Sequence, residues 1–358
     1  MIKTLTSWRG IFAICIVCFH FKMHAFDQMT YAGVTFFFML SGFLTAYKHR
    51  SINSCKQFYW RRIKRIFPLH WLALAAMLVL DLTLIHKFHY GWDLPLHVLL
   101  LQSWVPSEAV FYNYSIHSWF LSSLMFCVVA TPLLLKFFSR VGLKLAWGVM
   151  LVACVAVAVV NLVAGEQWHS YLYVCPATRL VDYALGMMLG ATLRDGVMPS
   201  HISKLRATTS EMVSLAVLMA FVAFHASGSA IAERLEHSVL WWLPVSMLLV
   251  MNVVLNTQEG YIGKILCLKP LLWLGGISFE VYILQKLVNN VFVYAVAPFF
   301  GHFGVLIYDY SFACTVPLLL LTAWLVNKFM KCFMHNGQWL CRMNKKDVDC
   351  VQKANKLQ

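Results

Sequence analysis

Runs of about twenty apolar residues, separated by short polar segments, fill most of this 358-residue chain. No other feature constrains its fold as much. Inside a bilayer no water can satisfy backbone N–H and C=O groups, so only helices and closed barrels can span. Runs of this length lack the two-residue alternation of barrel strands, and about twenty residues at 1.5 Å each cover the roughly 30 Å hydrocarbon core as a helix. Composition agrees: the chain is 60% hydrophobic and only 12% charged, with a mean hydropathy of +0.69. The expectation is an all-α polytopic integral membrane protein of about ten transmembrane helices, at roughly 8–24, 32–48, 66–86, 117–135, 145–164, 176–193, 210–227, 238–255, 271–297 and 304–327.

The net charge of +14 raises the question of a polyanionic partner. Its distribution answers it. Seven Lys/Arg fall in 48–65 and seven in 328–358, with smaller groups in 136–144, 194–209 and 256–270, whereas the opposite loops hold only Lys22, Lys87 and Arg234. This is a positive-inside pattern. It predicts both termini in the cytoplasm and excludes nucleic acid as the reason for the charge. The first helix reads as a retained signal anchor, since no small-x-small cleavage site follows it. One membrane domain is expected over 1–330, with a basic cytoplasmic tail over 331–358. The stretch Leu94–Val105 is too short to span and reads as re-entrant or interfacial. The long outer loop around it, 87–116, carries Tyr90, Trp92, Trp104, Phe111, Tyr112 and Tyr114, which suit either sugar stacking or an interfacial aromatic belt.

Ionisable residues inside apolar helices are costly, and they mark function more often than packing. Arg9 and His20 lie eleven residues apart in the first helix, so His20 returns to within about 20° of Arg9 and some 16 Å further along the axis. In the next cytoplasmic segment, Arg61, Arg62, Lys64 and Arg65 cluster before Pro68. Arg62 and Arg65 share a helical face, and a guanidinium fork suits phosphate oxygens; an anchor to anionic lipid headgroups is the alternative. Arg179 and Asp182, three apart, read as a mutually neutralising pair. Glu280 and Lys286 fall about 240° apart and cannot pair, so Glu280 either faces a cavity or is held by another helix. The eleven cysteines are odd in number and mostly intrahelical, which gives no disulfide framework. Cys15-x-x-Cys18 lacks a second ligand pair, so no metal is expected, and paired haem-ligating histidines rank low.

The residues also carry a resemblance. Trp8-Arg9-Gly10, the Arg9-x10-His20 pair, Ser41-Gly42-Phe43-Leu44 and Arg62-x-x-Arg65 resemble, in order, the bacterial acyltransferase family 3. So do His117-Ser-Trp119-Phe-Leu-Ser122, Arg179-x-x-Asp-Tyr183-x-x-Gly186-x3-Gly190 and Ile277-Ser278-Phe-Glu280-Val-Tyr282-Ile-Leu. The resemblance implies a multi-pass protein of the bacterial plasma membrane. It would move an acyl group, most often acetyl, from cytosolic acyl-CoA to a hydroxyl of a cell-envelope polysaccharide or lipid-linked glycan. It implies His20 as catalytic base, Arg9 as its partner, and Arg61, Arg62 and Arg65 as contacts for the CoA phosphates. Ser41, Trp119, Ser122, Arg179, Ser278, Glu280 and Tyr282 would be cavity residues. No permanently bound cofactor is implied. Three positions depart from the family pattern. Leu124 stands where relatives often have Glu, Gln285 where many have His, and Lys328-Phe-Met-Lys331 where a Glu-x-Pro is expected. The alternative is a transporter or flippase for a glycan or lipid; the matching broken helices such a protein would show are not seen.

Overall fold

The computed structural model describes residues 2–86, 91–196, 203–235, 237–254, 260–298 and 312–332. These residues are helical, with no strand among them. Ten longer helices succeed one another: α1 (Lys3–His20), α2 (Asp27–Lys48), α3 (Cys55–Leu80), α4 (Ser118–Val141), α5 (Leu143–Val163), α6 (Pro176–Asp195), α7 (Lys204–Ala226), α8 (Trp242–Val254), α9 (Lys269–Val291) and α10 (Phe312–Cys332). Each expected span overlaps one of them. Seven are long and apolar enough to cross a membrane, namely α2, α3, α4, α5, α7, α9 and α10, counted with their short extensions. The protein is therefore a multi-pass membrane protein, all-helical among the described residues. The basic tail beyond Cys332, the start of the tenth expected span, and Lys87 and Tyr90 lie outside the described residues.

Burial sorts the helices into a centre and a rim. The apolar stretch of α2 is 72% buried, that of α5 only 17%. Leu151, Val152 and Val163 on α5 are accordingly exposed, the surface expected of a lipid-facing helix. Helix α2 packs most extensively on α6, and α1 on α9. Lipid tails are as apolar as leucine, so close backbone approach at small residues must hold such helices together. A methyl group at Gly42 would strike the Tyr183 carbonyl, one at Gly186 the Met39 carbonyl, and one at Gly190 the Phe43 carbonyl. The Gly186-x3-Gly190 pair is thus the seam between α2 and α6.

Several boundaries differ from the sequence expectation. Helix α1 starts at Lys3 and stops at His20, rather than running 8–24. Thr4, Thr6 and Ser7 are polar yet buried, and Ser7 Oγ donates to the Leu266 carbonyl, so the helix begins among satisfied polar groups. Beyond His20 the chain turns, and His24 sits in a short turn paired with Asp27 at 3.1 Å. The basic segment 48–65 is mostly helix: Ser54 Oγ accepts from the Gln57 N–H at 3.3 Å and caps α3, which places the arginines on its first turns. Between Gly91 and His117 the chain folds into short helices, Leu94–Leu99 and Glu108–Phe111. Histidine bonds to backbone carbonyls tie them down: His70 Nε2 bonds the His97 carbonyl at 2.7 Å, and His97 Nε2 the Val110 carbonyl at 2.8 Å.

Candidate active site

The contact between α1 and α9 sets the first functional group. Gly10 faces Gly275 so closely that a Cβ on Gly10 would lie 2.7 Å from the Gly275 nitrogen. One turn along α9 from Gly275 is Ser278. Arg9 Nη2 donates to Ser278 Oγ at 3.1 Å, and Ser278 Oγ donates to the Gly275 carbonyl at 2.9 Å. The two glycine-containing motifs therefore belong to one arrangement, in which close backbones let a guanidinium be held from the neighbouring helix.

Arg9 opens into a cavity of about 290 Å³ at the end of the bundle where α2 finishes and α3 begins. Ser41, Thr45, Lys48, His49, Arg62 and Arg65 line it with Arg9 and Ser278, and Phe120, Leu124 and Tyr282 form its apolar side. Arg62 Nη2 donates to Thr45 Oγ1 at 3.2 Å, and Thr45 in turn donates to the Ser41 carbonyl at 2.7 Å. His49, just beyond α2, titrates below the ordinary histidine value: partial burial disfavours its charged form, and Arg62, Lys48 and Arg61 repel it. Arg61 is exposed and lies off the cavity wall. Among the described residues no carboxylate side chain lines this cavity, and its polar wall is cationic.

His20, the last residue of α1, faces two further cavities at the opposite end of that helix. One, of about 260 Å³, is walled by Tyr31, Tyr112, Trp119, Tyr173, His237 and Tyr282; the other, of about 210 Å³, by Gln285, Lys286 and Asn289. Both include His117, at the start of α4. The His20 and His117 rings meet edge to face with centroids 4.2 Å apart. His117 is buried, and neither of its ring nitrogens has a hydrogen-bond partner among the described residues. Tyr282 OH donates to the His117 carbonyl at 3.1 Å. Tyr282 is also the wall shared by the Arg9 cavity and the larger His20 cavity, and it packs on Phe120 at 5.2 Å.

The remaining sequence candidates fall elsewhere. Arg179 is fully buried and lines none of these cavities. It bonds Asp182 at 2.7 Å, the Tyr173 carbonyl at 2.6 Å and the His237 carbonyl at 3.1 Å, and its guanidinium lies 4.4 Å from the Tyr173 ring centroid. Trp242 Nε1 donates to the other Asp182 oxygen at 2.5 Å. This pair buttresses the cavity wall from behind. Ser122 is buried and accepts from the Ser103 N–H at 3.4 Å. Glu280 is held by another helix, accepting from Asn327 Nδ2 on α10 at 2.6 Å. Sequence reasoning gave no individual role to His117, Thr45 or His237. His117 carried a signal, an ionisable residue opening an apolar run beside Trp119; Thr45 and His237 carried none that distinguishes them from ordinary polar residues. Among the described residues no three His, Cys, Asp or Glu side chains converge as metal ligands.

Comparison with known proteins places this architecture. The acyltransferase 3 family, whose model is described as an acyltransferase domain, matches residues 2–327. Acyltransferase MdmB of Streptomyces mycarofaciens is 26% identical over 226 residues, 55% of this chain and 58% of that protein, so the match spans under two thirds of the relative's length. ORF330 of Acidianus two-tailed virus, named as a conjectural acetyltransferase, is 23% identical over 259 residues, 72% of this chain and 73% of its own. No solved structure matches. With a family match over nearly its whole length, the chain belongs to the acyltransferase 3 family.

Proposed function

We propose that the protein is a ten-span O-acyltransferase of the bacterial plasma membrane, with both termini in the cytoplasm. It takes an acyl group, most simply acetyl, from cytosolic acyl-CoA and transfers it to a hydroxyl of an envelope polysaccharide or lipid-linked glycan. One observation carries this reading. A single helix presents Arg9 to a cation-lined cavity and His20, about 16 Å further along, to an aromatic cavity, with Tyr282 as their common wall. Arg62 and Arg65 hold the CoA phosphates, Arg9 with Ser278 steadies the donor along its path, and the pantetheine arm bridges toward His20. His20 removes the proton from the acceptor hydroxyl as its oxygen attacks the thioester carbonyl carbon. The C–S bond breaks, and the thiolate leaves and takes the proton back from His20, giving the ester and CoA thiol. Arg61, off the cavity wall, serves as a headgroup anchor at the membrane surface.

Mass spectrometry of envelope glycans from cells with and without the gene tests the reaction, because the mass difference names the acyl group. His20→Ala abolishes that difference while the purified protein stays folded, since His20 is an exposed side chain at a helix end. A His20→Ala protein that still acylates glycan removes the base assignment. Orientation is tested separately: Lys56→Cys, in a cysteine-free background, is protected from an impermeant thiol reagent in intact cells, and its labelling from outside overturns the topology.

A further inference from the structure

A fourth cavity, of about 620 Å³, lies beside the larger His20 chamber at the same end of the bundle. Four separate segments build it: Gln28 at the start of α2, Glu166 and His169 on the short helix Glu166–Val174, His225 near the end of α7, and Glu233 and Arg234 on the short helix Ala230–Leu235. Its size falls within the roughly 300–1,000 Å³ of small-ligand sites. His237 lines both this cleft and the His20 chamber, so the two adjoin through that residue. The threshold is fixed in place. The His237 carbonyl accepts from the buried Arg179 guanidinium at 3.1 Å, and its ring packs on Tyr31 at 5.1 Å and Tyr173 at 5.0 Å.

From this arrangement we infer that the cleft binds the acceptor, a neutral, hydroxyl-rich sugar, and delivers its reacting hydroxyl past His237 to His20. The inference rests on the acyltransferase reading above. Carboxylates accept from hydroxyls, a guanidinium donates to them, and amide and imidazole groups do both, so this wall matches a ring bearing several hydroxyls. Two carboxylates stand against one guanidinium, which disfavours an anionic ligand. His169 Nε2 is buried with no hydrogen-bond partner among the described residues, a polar atom left for a ligand to satisfy. Beyond the threshold, Tyr31, Tyr112, Trp119 and Tyr173 supply aromatic surfaces on which a sugar ring stacks.

The test plugs the cleft without touching the cavities assigned to catalysis. Ala226 and Ala230 line it and are exposed. Ala226→Cys and Ala230→Cys, each in a cysteine-free background, are labelled in intact cells with a bulky impermeant maleimide. Acylation is then measured by mass spectrometry on lipid-linked precursors and on finished polysaccharide separately, which distinguishes the two sources of acceptor. Purified labelled protein is titrated with acetyl-CoA. The expected result is outside labelling, at least a tenfold fall in glycan acylation, and an acetyl-CoA Kd within twofold of the unlabelled variant. Glu166→Gln with Glu233→Gln lowers acylation at least fivefold, again with unchanged acetyl-CoA binding. Labelled protein that acylates at the unlabelled rate overturns the acceptor assignment, as does failure of both cysteines to label from outside. Wild-type cells that acylate no glycan overturn the acyltransferase reading itself.

Discussion

Replacing Gly275 with alanine drives a wedge between α1 and α9 at the point that positions Arg9. A Cβ there lies 2.9 Å from Thr6 Cγ2 and strikes the Thr6 carbonyl oxygen. Restoring an ordinary contact of 3.4 Å to the methyl alone asks for about 0.5 Å of separation, and the carbonyl asks for more. The Arg9–Ser278 hydrogen bond, at 3.1 Å, has less slack than that before its geometry fails. A hydrogen bond to a charged group contributes about 1.5–3 kcal/mol, so transfer should fall by roughly 10- to 150-fold. Overpacking should cost a further 1–3 kcal/mol or so of folding stability. Ser278→Ala removes the same hydrogen bond without the wedge, and should reproduce the rate loss at near wild-type thermal stability. Gly276→Ala is the matched control, because its Cβ meets nothing within 4 Å. Glycan acylation in cells and thermal unfolding in detergent give the two readouts. A well-folded Gly275→Ala protein within threefold of wild-type activity would refute the coupling of helix separation to Arg9.

Three further outcomes follow from the geometry. Arg62→Gln with Arg65→Gln should raise the KM for acyl-CoA at least tenfold with insertion intact; loss of insertion or topology with KM unchanged would make the pair a membrane anchor. Asp182→Asn leaves Arg179 buried beside a neutral partner and should cost about 3–5 kcal/mol, read as a fall in unfolding temperature in detergent, whereas an unchanged temperature would show the pair to be dispensable. An anion bound among the cations around His49 raises its lowered pKa, so binding is coupled to proton uptake. Acyl-CoA affinity should therefore strengthen as the pH falls through the histidine range below about 6.5. His49→Gln should flatten that component, and an identical pH profile in the two proteins would exclude it.

Features that repeat along one helix were legible in the sequence, and those assembled from several helices were not. The apolar runs announced every long helix because hydrocarbon leaves a spanning backbone no other choice. The start of α1 was misread because Thr4, Thr6 and Ser7 look like a polar flank, yet tertiary contacts bury them. The Arg9–His20 spacing was visible as helical periodicity; the Ser278 hydroxyl that holds Arg9, 269 residues away, was not. Glu280 stayed open between a cavity and a neighbouring helix because its partner, Asn327, sits 47 residues away on another helix. Arg179–Asp182 was readable as a local pair, but its task of bracing His237 required a carbonyl 58 residues downstream.

The two departures from the family pattern inside the membrane domain gain meaning from where they fall. Leu124 lines the Arg9 cavity and Gln285 the smaller cavity beside His20. A carboxylate at position 124 would offset part of the charge of Arg9, Lys48, Arg62 and Arg65; leucine adds no such offset. At position 285 a histidine would add a titratable ring to a wall that already holds His20 and His117. Glutamine instead supplies a neutral amide whose Nε2 donates to the Tyr282 carbonyl at 3.1 Å. The same α9 helix thus fixes Arg9 through Ser278 and carries Tyr282, the wall common to the Arg9 and His20 cavities. Substitutions along its inner face should therefore change both ends of the path at once, while those on lipid-facing α5 should change neither.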